Sequence, residues 1–394
     1  MSKILPGRTA RRTHGFTESV IRGMTRLAAR HEAINLAQGF PDFPAPDVLK
    51  AAAVAAIRAD INQYAVTWGA PRLRRALAAC YASWYGLDVD PDAEITVCCG
   101  ATEAMASVLM ALVDPGDEVI IFEPFYENYG PDAALCGAAP VFVPMPPDGP
   151  LDLDRVAAAC NARTRAIVIN TPNNPGGRVL SPAELEGLAA LCRQYDAYAI
   201  TDEIYEHIVY AGRHRPMAGV PGMRERTVTI SGASKTFSVT GWRIGTVVAP
   251  ADLTDAIRKV HDFLTVGAPA PLQEAVATAL ETLDAGYYTG LAAAYRDRRD
   301  LLCQGLLDAG FRCTPPDGAY YVLADIRGLT TLSDVEFARW MTAEIGVATV
   351  PGSSFYHGSE DGRHVVRFAF CKSGEVLREA VGRLAEVAAR APSD

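Results

Sequence analysis

From about residue 95 onward, short apolar runs alternate with helical stretches or turns: ITVCC, EVIIF, PVFV, RAIVIN, YAIT, TVTIS and GTVVA. That alternation leaves one economical solution, a mostly parallel sheet covered by helices on both faces, because such strands are buried on two sides and show no polar face. The fold class is therefore α/β. Ser181-Pro182 ahead of AELEGLAALCRQY is the kind of cap that opens a covering helix. Two amphipathic stretches follow, at about 268–283 and 287–309. The chain then reads strand (YYVLADI), helix (SDVEFARWMTAEI), strand (VATV), strand (HVVRFAF) and helix (GEVLREAVGRLAEVAAR), a smaller α/β unit. At the other end, Phe16, Val20, Ile21, Met24, Leu27 and Ala28 recur with helical spacing. Pro41, Pro44 and Pro46 then forbid regular structure, and Asp47 is placed to cap a helix to Ala59. At 394 residues the chain exceeds one ordinary core. We expect an N-terminal arm that joins the small domain (1–46), a large domain (47–285) and a small C-terminal domain (286–394).

Several function classes are disfavoured. A net charge of −9 argues against a general nucleic-acid binder, and no helix-turn-helix pattern precedes the α/β region. Neither GxGxxG nor GxxxxGK[ST] occurs, so a nucleotide-dependent enzyme is not indicated. No apolar run reaches the roughly 18 residues of a membrane span. Arg11-Arg12 lacks the apolar segment of an export signal. The nine cysteines are scattered and form no CxxC pair, which suits buried thiols in a reducing cytoplasm. No metal site is expected.

In an open α/β sheet, ligands sit at the carboxyl ends of the strands. After ITVCC stands Gly100-Ala101-Thr102, opening a helix whose first N–H groups suit an anion, although the same residues make an ordinary strand-to-helix turn. After RAIVIN stands Asn170-Thr171-Pro172-Asn173-Asn174-Pro175, dense in amides and equally readable as a tight loop. After AYAIT stand Asp202 and, three residues on, Tyr205; Asp202 could also be a simple cap. After TVTIS come Ser231, Gly232, Ser234 and Lys235, with Arg243 eight residues later. The chain has only five lysines, and Lys235 alone lies in the sheet region. Lys3 is terminal, Lys50 and Lys259 fall on amphipathic helices, and Lys372 reads as exposed. A lysine in such a turn is a Schiff-base candidate. An amine, an acid, a phenol, amides, an arginine and an anion-binding helix start after successive strands are together what pyridoxal 5′-phosphate requires.

INLAQGFPDFPAP, QYAVTWGAPRLRRALA, EPFYENY, NTPNNPGGRV, TDEIY, SGASKTFSVTGWRIG and VRFAF, in this order, resemble the class I/II aminotransferases of fold type I. The resemblance covers nearly the whole chain and is nearest to the kynurenine, glutamine and methionine aminotransferase-like subgroup. It implies a homodimer that binds pyridoxal phosphate and takes an L-amino acid and a 2-oxo acid. It casts Lys235 as the cofactor-bound lysine and the base, Asp202 as partner of the ring nitrogen, and Tyr205 and Asn174 as donors to the ring oxygen. Tyr126 would stack on the ring, with Phe125 as the alternative. Gly100, Ala101, Thr102 and Arg243 would hold the phosphate, with Tyr64 reaching in from a partner subunit. Arg367, assisted by Asn170, would grip the substrate carboxylate under the backbone at Gly39. Many relatives carry a phosphate-binding serine at the position of Gly232; Ser231 or Ser234 could substitute. Phe16, Trp68, Tyr320 and Phe355 are the side-chain pocket candidates by family position, or else plain packing. No second arginine dedicated to a distal carboxylate is evident, which disfavours aspartate and favours aromatic, methionine, glutamine or other non-acidic donors. The same scaffold also hosts C–S lyases, cyclases and oxidative biosynthetic enzymes, and a regulator that adds a DNA-binding segment to this fold is a further rival.

Overall fold

The computed structural model describes residues 9–358 and 360–392. The seven apolar runs form one seven-stranded sheet. Its order is Ile95–Cys98, Gly245–Val248, Thr227–Gly232, Tyr198–Asp202, Thr164–Asn170, Glu118–Glu123 and Ala139–Pro144. All pairings are parallel except the two that Gly245–Val248 makes with its neighbours.

Alternate residues of each strand enter opposite layers, as the two-residue period requires. Val119, Ile121, Ala166 and Val168 pack with Val108 and Ile257 on one face. Ile120, Phe122, Ile167 and Ile169 pack with Leu185 and Leu188 on the other. The helix Pro182–Tyr195 begins with a full capping box, Ser181 and Glu184 each bonding the other's backbone N–H. The helix Asp47–Arg58 starts one residue earlier than expected: Pro46 is its N-cap, and Asp47 sits in the first turn with Lys50 at 2.7 Å.

A second sheet holds Val350–Pro351, Val365–Ala369 and Tyr321–Asp325, all antiparallel. Ile34–Asn35 pairs in parallel with Val347–Ala348, so the N-terminal segment joins the C-terminal one. Ile21, Met24, Ala28 and Leu36 share a core with Leu302, Phe311, Phe337 and Phe368. Among the described residues, no helix is long and apolar enough to cross a membrane.

Candidate active site

The parallel strands end on one cavity of about 670 Å³. Asn170 and Asp202 lie opposite each other at the last rung of adjacent strands. Lys235 follows the neighbouring strand, on the short helix Ala233–Thr236. The sheet thus delivers an amide, an acid and an amine to one edge.

Lys235 is half-buried, with Nζ donating to the Gly39 carbonyl at 3.3 Å. Desolvation brings its amine down to about 8; Arg243 and Arg367 add to this, while Cys371 and Asp202 oppose it. Asp202 is buried and has no ion pair among the described residues. Burial pushes its carboxyl up, and the Tyr129 hydroxyl (2.6 Å) and the Ile204 N–H (3.3 Å) hold it down. A cation placed beside this carboxylate would supply the charge partner it lacks.

Gly100, two residues after the strand Ile95–Cys98, has φ 84° and caps the twelve-residue helix Ala101–Leu112 without any side-chain bond, leaving the positive helix end open to the cavity. A Cβ on Gly100 would meet Arg243 Nη2 at 2.1 Å, so glycine here lets the guanidinium lie against the turn. Ala101, Thr102, Ser234 and Arg243 line this end. At the far side Arg367 is fully buried between the Tyr321 and Phe355 rings, 4.3 and 4.9 Å from their centroids. Its Nη1 donates to Asn174 Oδ1 at 2.9 Å and its Nη2 to the Ala37 carbonyl at 2.5 Å. Its Nε has no partner, and no carboxylate of the described residues pairs with it. A buried guanidinium without an acid is prepared for a carboxylate from outside.

Pyridoxal phosphate fits these residues: an unpaired buried carboxylate for the ring nitrogen, a neutralisable amine, an uncapped helix end with an arginine for the phosphate, and Tyr205 with Asn174 for the ring oxygen.

Of the expected residues, Gly39, Tyr126, Asn170, Asn174, Tyr205 and Ser234 also line the cavity. Others do not. Ser231, in the strand Thr227–Gly232, points away from the cavity, and its hydroxyl donates to Glu206. Gly232 cannot be replaced by serine in place, since a Cβ would meet the Ile244 carbonyl oxygen at 2.6 Å. Ser234 is therefore the hydroxyl left for the phosphate end. Asn170 spends its amide inside its loop, donating to the Asp202 and Pro172 carbonyls and accepting from the Asn174 N–H. The amide nearest Arg367 is Asn174.

The four side-chain pocket candidates also lie off this cavity. Phe125, the alternative to Tyr126 over the ring, is off it too and packs in the core on Phe142. Tyr320 lies buried between the Tyr205 and Tyr295 rings, with its hydroxyl on the Gly39 carbonyl at 3.0 Å. Phe355 backs Arg367, Phe16 lines a neighbouring groove, and Trp68 stacks under Arg258. Tyr64 is 86% exposed and does not line this chain's own cavity. Lys372, expected to be exposed, is buried: its Nζ donates to the Phe40 carbonyl at 2.8 Å and lies 3.9 Å from the Phe40 ring centroid, pinning the strap over the cavity.

Tyr129, Tyr321 and Arg22 are among the cavity residues that escaped the sequence reading. Tyr129 opens the helix Tyr129–Leu135 three residues after Tyr126, and the two rings meet edge-on with centroids 5.7 Å apart, a contact that the sequence spacing alone does not show. Tyr321 stands next to Tyr320, and the sequence alone does not say which of the two faces in. Removing the hydroxyl tests the first. Tyr129→Phe is expected to lower kcat about 10- to 100-fold, since a hydrogen bond to a charged group contributes about 1.5–3 kcal/mol. The bond favours ionised Asp202, so its loss moves the acidic limb of the kcat–pH profile to higher pH. An unmoved limb would refute the coupling.

Comparison with known proteins agrees with this geometry. The family model for aminotransferase class I and II matches residues 31–384. The chain is 42% identical to a probable N-succinyldiaminopimelate aminotransferase of Mycobacterium tuberculosis, over 97% of this chain and 99% of that protein. It is 38% identical to a methionine aminotransferase of Escherichia coli, over 92% and 94%, and 36% identical to human kynurenine–oxoglutarate transaminase 1, over 94% and 96%. The solved N-succinyldiaminopimelate aminotransferase structure from M. tuberculosis superposes with a TM-score of 0.93 at 43% identity, covering 96% of this chain and 100% of that one. The chain belongs to the class I and II aminotransferases, pyridoxal-phosphate-dependent enzymes that move an amino group from an amino acid to a 2-oxo acid.

Proposed function

We propose that the amino donor is an L-amino acid with an aromatic, methionine, glutamine or other non-acidic side chain. The acceptor is a 2-oxo acid, and the two half-reactions alternate in ping-pong order. One observation carries this reading: a buried Arg367 without an acidic partner faces the same cavity as a lysine amine lowered to about 8. Ile21, Phe40 and Tyr126 on the cavity wall support non-acidic side chains, as do the relatives named for methionine and kynurenine.

In this reading Lys235 holds the cofactor between turnovers, released from it acts as the base that removes the α-proton, and returns a proton to the cofactor side. Its lowered pKa keeps a useful fraction neutral near pH 8. Arg367 fixes the α-carboxylate in a two-pronged pair, which orients the α-hydrogen toward Lys235. Asp202 stays ionised against the ring nitrogen, with Tyr129 holding it in place. Asn174 and Tyr205 steady the ring oxygen, Tyr126 covers the ring, and Ala101, Thr102, Ser234 and Arg243 hold the phosphate. Pyridoxal phosphate, when bound, supplies the aldehyde carbon that carries the amino group and the ring that accepts the electron pair left by the departing proton.

We also take 47–285 as the cofactor-binding domain and 1–46 with 286–394 as the small domain, which the pairing of Ile34–Asn35 with Val347–Ala348 supports. A homodimer is supported by the exposure of Tyr64 (86%) and Phe263 (91%), large rings that a second copy would cover. A cytoplasmic location is in keeping with nine unpaired cysteines.

Initial rates over a grid of donor and 2-oxo acid concentrations test the reading. Parallel double-reciprocal lines are expected. Sustained turnover without any 2-oxo acid would instead mark a lyase or cyclase.

A further inference from the structure

Two of the nine cysteines, Cys303 and Cys313, meet away from the cavity. Cys303 lies near the end of the helix Ala285–Asp308, buried in the core with Leu306, Phe311 and Phe368. The chain then turns back on the helix. The Ala309 N–H bonds the Gly305 carbonyl at 3.1 Å, Gly310 (φ 91°) bonds Leu307 at 3.0 Å, and the Phe311 N–H reaches Leu306 at 3.0 Å. Arg312 next forms an antiparallel bridge with Asp325, donating at 3.2 Å and accepting at 2.7 Å. This reversal returns Cys313 to Cys303. The Cys313 thiol donates to the Cys303 carbonyl at 4.0 Å, and the two thiols are in hydrogen-bonding contact.

The two sulfurs differ in access and in charge. Cys313 is half-buried between exposed Arg312 and Thr314, so a small reagent reaches it from solvent, while Cys303 lies behind it. The hydrogen bond from Cys303 holds the Cys313 thiol below its ordinary value, and the same bond, with burial, holds Cys303 up. At the other cysteines burial raises the thiol. An accessible attacking thiol and a second thiol in contact with it are the parts that a dithiol oxidation needs.

We propose that Cys303 and Cys313 are an oxidisable pair, a modification site for small disulfides of the glutathione class. The Cys313 thiolate attacks one sulfur of the reagent, which forms a mixed disulfide and releases one thiolate. The Cys303 sulfur then attacks the Cys313 sulfur, and the second small thiol leaves. Two protein thiols are oxidised, the sulfur–sulfur bond of the reagent is reduced to two thiols, and these take up the two protons. The bond ties the helix end to the segment that carries Tyr320 and Tyr321 to the site. Arg299, one turn before Cys303, already holds that segment by donating to the Pro316 carbonyl at 3.0 Å. Neither cysteine lines the cavity, so the link leaves the groups there in place and acts by constraining the unfolded chain.

The test incubates the full-length, cofactor-loaded enzyme with an excess of oxidised glutathione at about pH 8, where thiol–disulfide exchange is fast. Remaining thiols are alkylated and the protein is digested with trypsin without reduction. Cleavage after Arg299, Arg312 and Arg327 puts the two cysteines in separate peptides, 300–312 and 313–327. These two peptides are expected joined, lighter by two hydrogens than their sum. Thiols counted in denaturant should fall from nine to seven. The Tm should rise by a few degrees and return on reduction with dithiothreitol. Cys303→Ser, which keeps the attacking thiol, should stop at glutathione bound to Cys313, and Cys313→Ser should show neither product. The joined peptides are read in the wild type, so a variant that folds poorly does not decide the result. A wild type that keeps nine thiols, that holds glutathione on Cys313 without joining the peptides, or that joins other cysteines overturns the proposal. So does a Tm rise that persists in Cys313→Ser.

Discussion

Lys235→Ala is expected to abolish transamination, lowering kcat by at least about four orders of magnitude, because the same amine serves for cofactor attachment and proton transfer. The fold should survive. Among the described residues Nζ makes one hydrogen bond, the 3.3 Å contact with the Gly39 carbonyl, and the strap at Gly39 is held independently by Tyr320 and Lys372. Thermal unfolding should therefore stay within a few degrees of the wild type. The wild type offers a matching pH signature. Its amine attacks an aldehyde only when neutral, so cofactor uptake by the cofactor-free enzyme should speed up with pH and level off above about 8, the value to which burial lowers it. An uptake rate that climbs only toward the ordinary lysine range would show that the amine is not desolvated. Undiminished turnover in Lys235→Ala would remove it from the mechanism.

Arg367→Gln should be the next most damaging change. It removes the charged partner of the substrate carboxylate in a fully buried setting, where losing one member of such a pair costs about 2–5 kcal/mol, or roughly 30- to several-thousand-fold in kcat/KM. Arg367→Lys keeps a positive charge but loses the fork, so it should recover only part of that loss. The decisive comparison is between an α-amino acid and the corresponding amine without the carboxylate. The wild type should discriminate strongly in favour of the amino acid, and Arg367→Gln should lose most of that discrimination. If the variant slows both equally, Arg367 supports the packing of Tyr321 and Phe355 and does not read the carboxylate.

The fold was legible because its sheet is buried on both faces. Runs such as EVIIF and RAIVIN have no polar alternation to confuse the reading, and each became a strand of the central sheet. The cavity groups were legible for a related reason: they follow strands directly, so Asp202 and Lys235 could be placed at one edge from chain order alone. Legibility failed where tertiary contact, and not local pattern, decides direction. Ser231 and Ser234 sit three residues apart, one at the end of a strand and one on the short helix after it, but only the packing against Glu206 tells which hydroxyl faces away. Lys372 follows a strand in a polar stretch and reads as solvated, whereas the Phe40 ring and carbonyl bury it. Arg22 lies on an amphipathic helix where a charged residue reads as surface, and only the cavity shows that its exposed side faces the site. The aromatic candidates Phe16, Trp68, Tyr320 and Phe355 illustrate the same limit, since their residue type fits a core, a groove or a substrate wall equally well.

The most direct test of the central claim is a single half-reaction. Purified, cofactor-loaded enzyme is mixed with an excess of L-methionine and no 2-oxo acid. The visible absorbance of the lysine-bound cofactor should disappear in one step, with one equivalent of the methionine-derived 2-oxo acid formed per site, and adding a second 2-oxo acid should restore the absorbance. Absorbance that persists, or product that keeps accumulating beyond one equivalent with release of ammonia, would contradict amino-group transfer by this site.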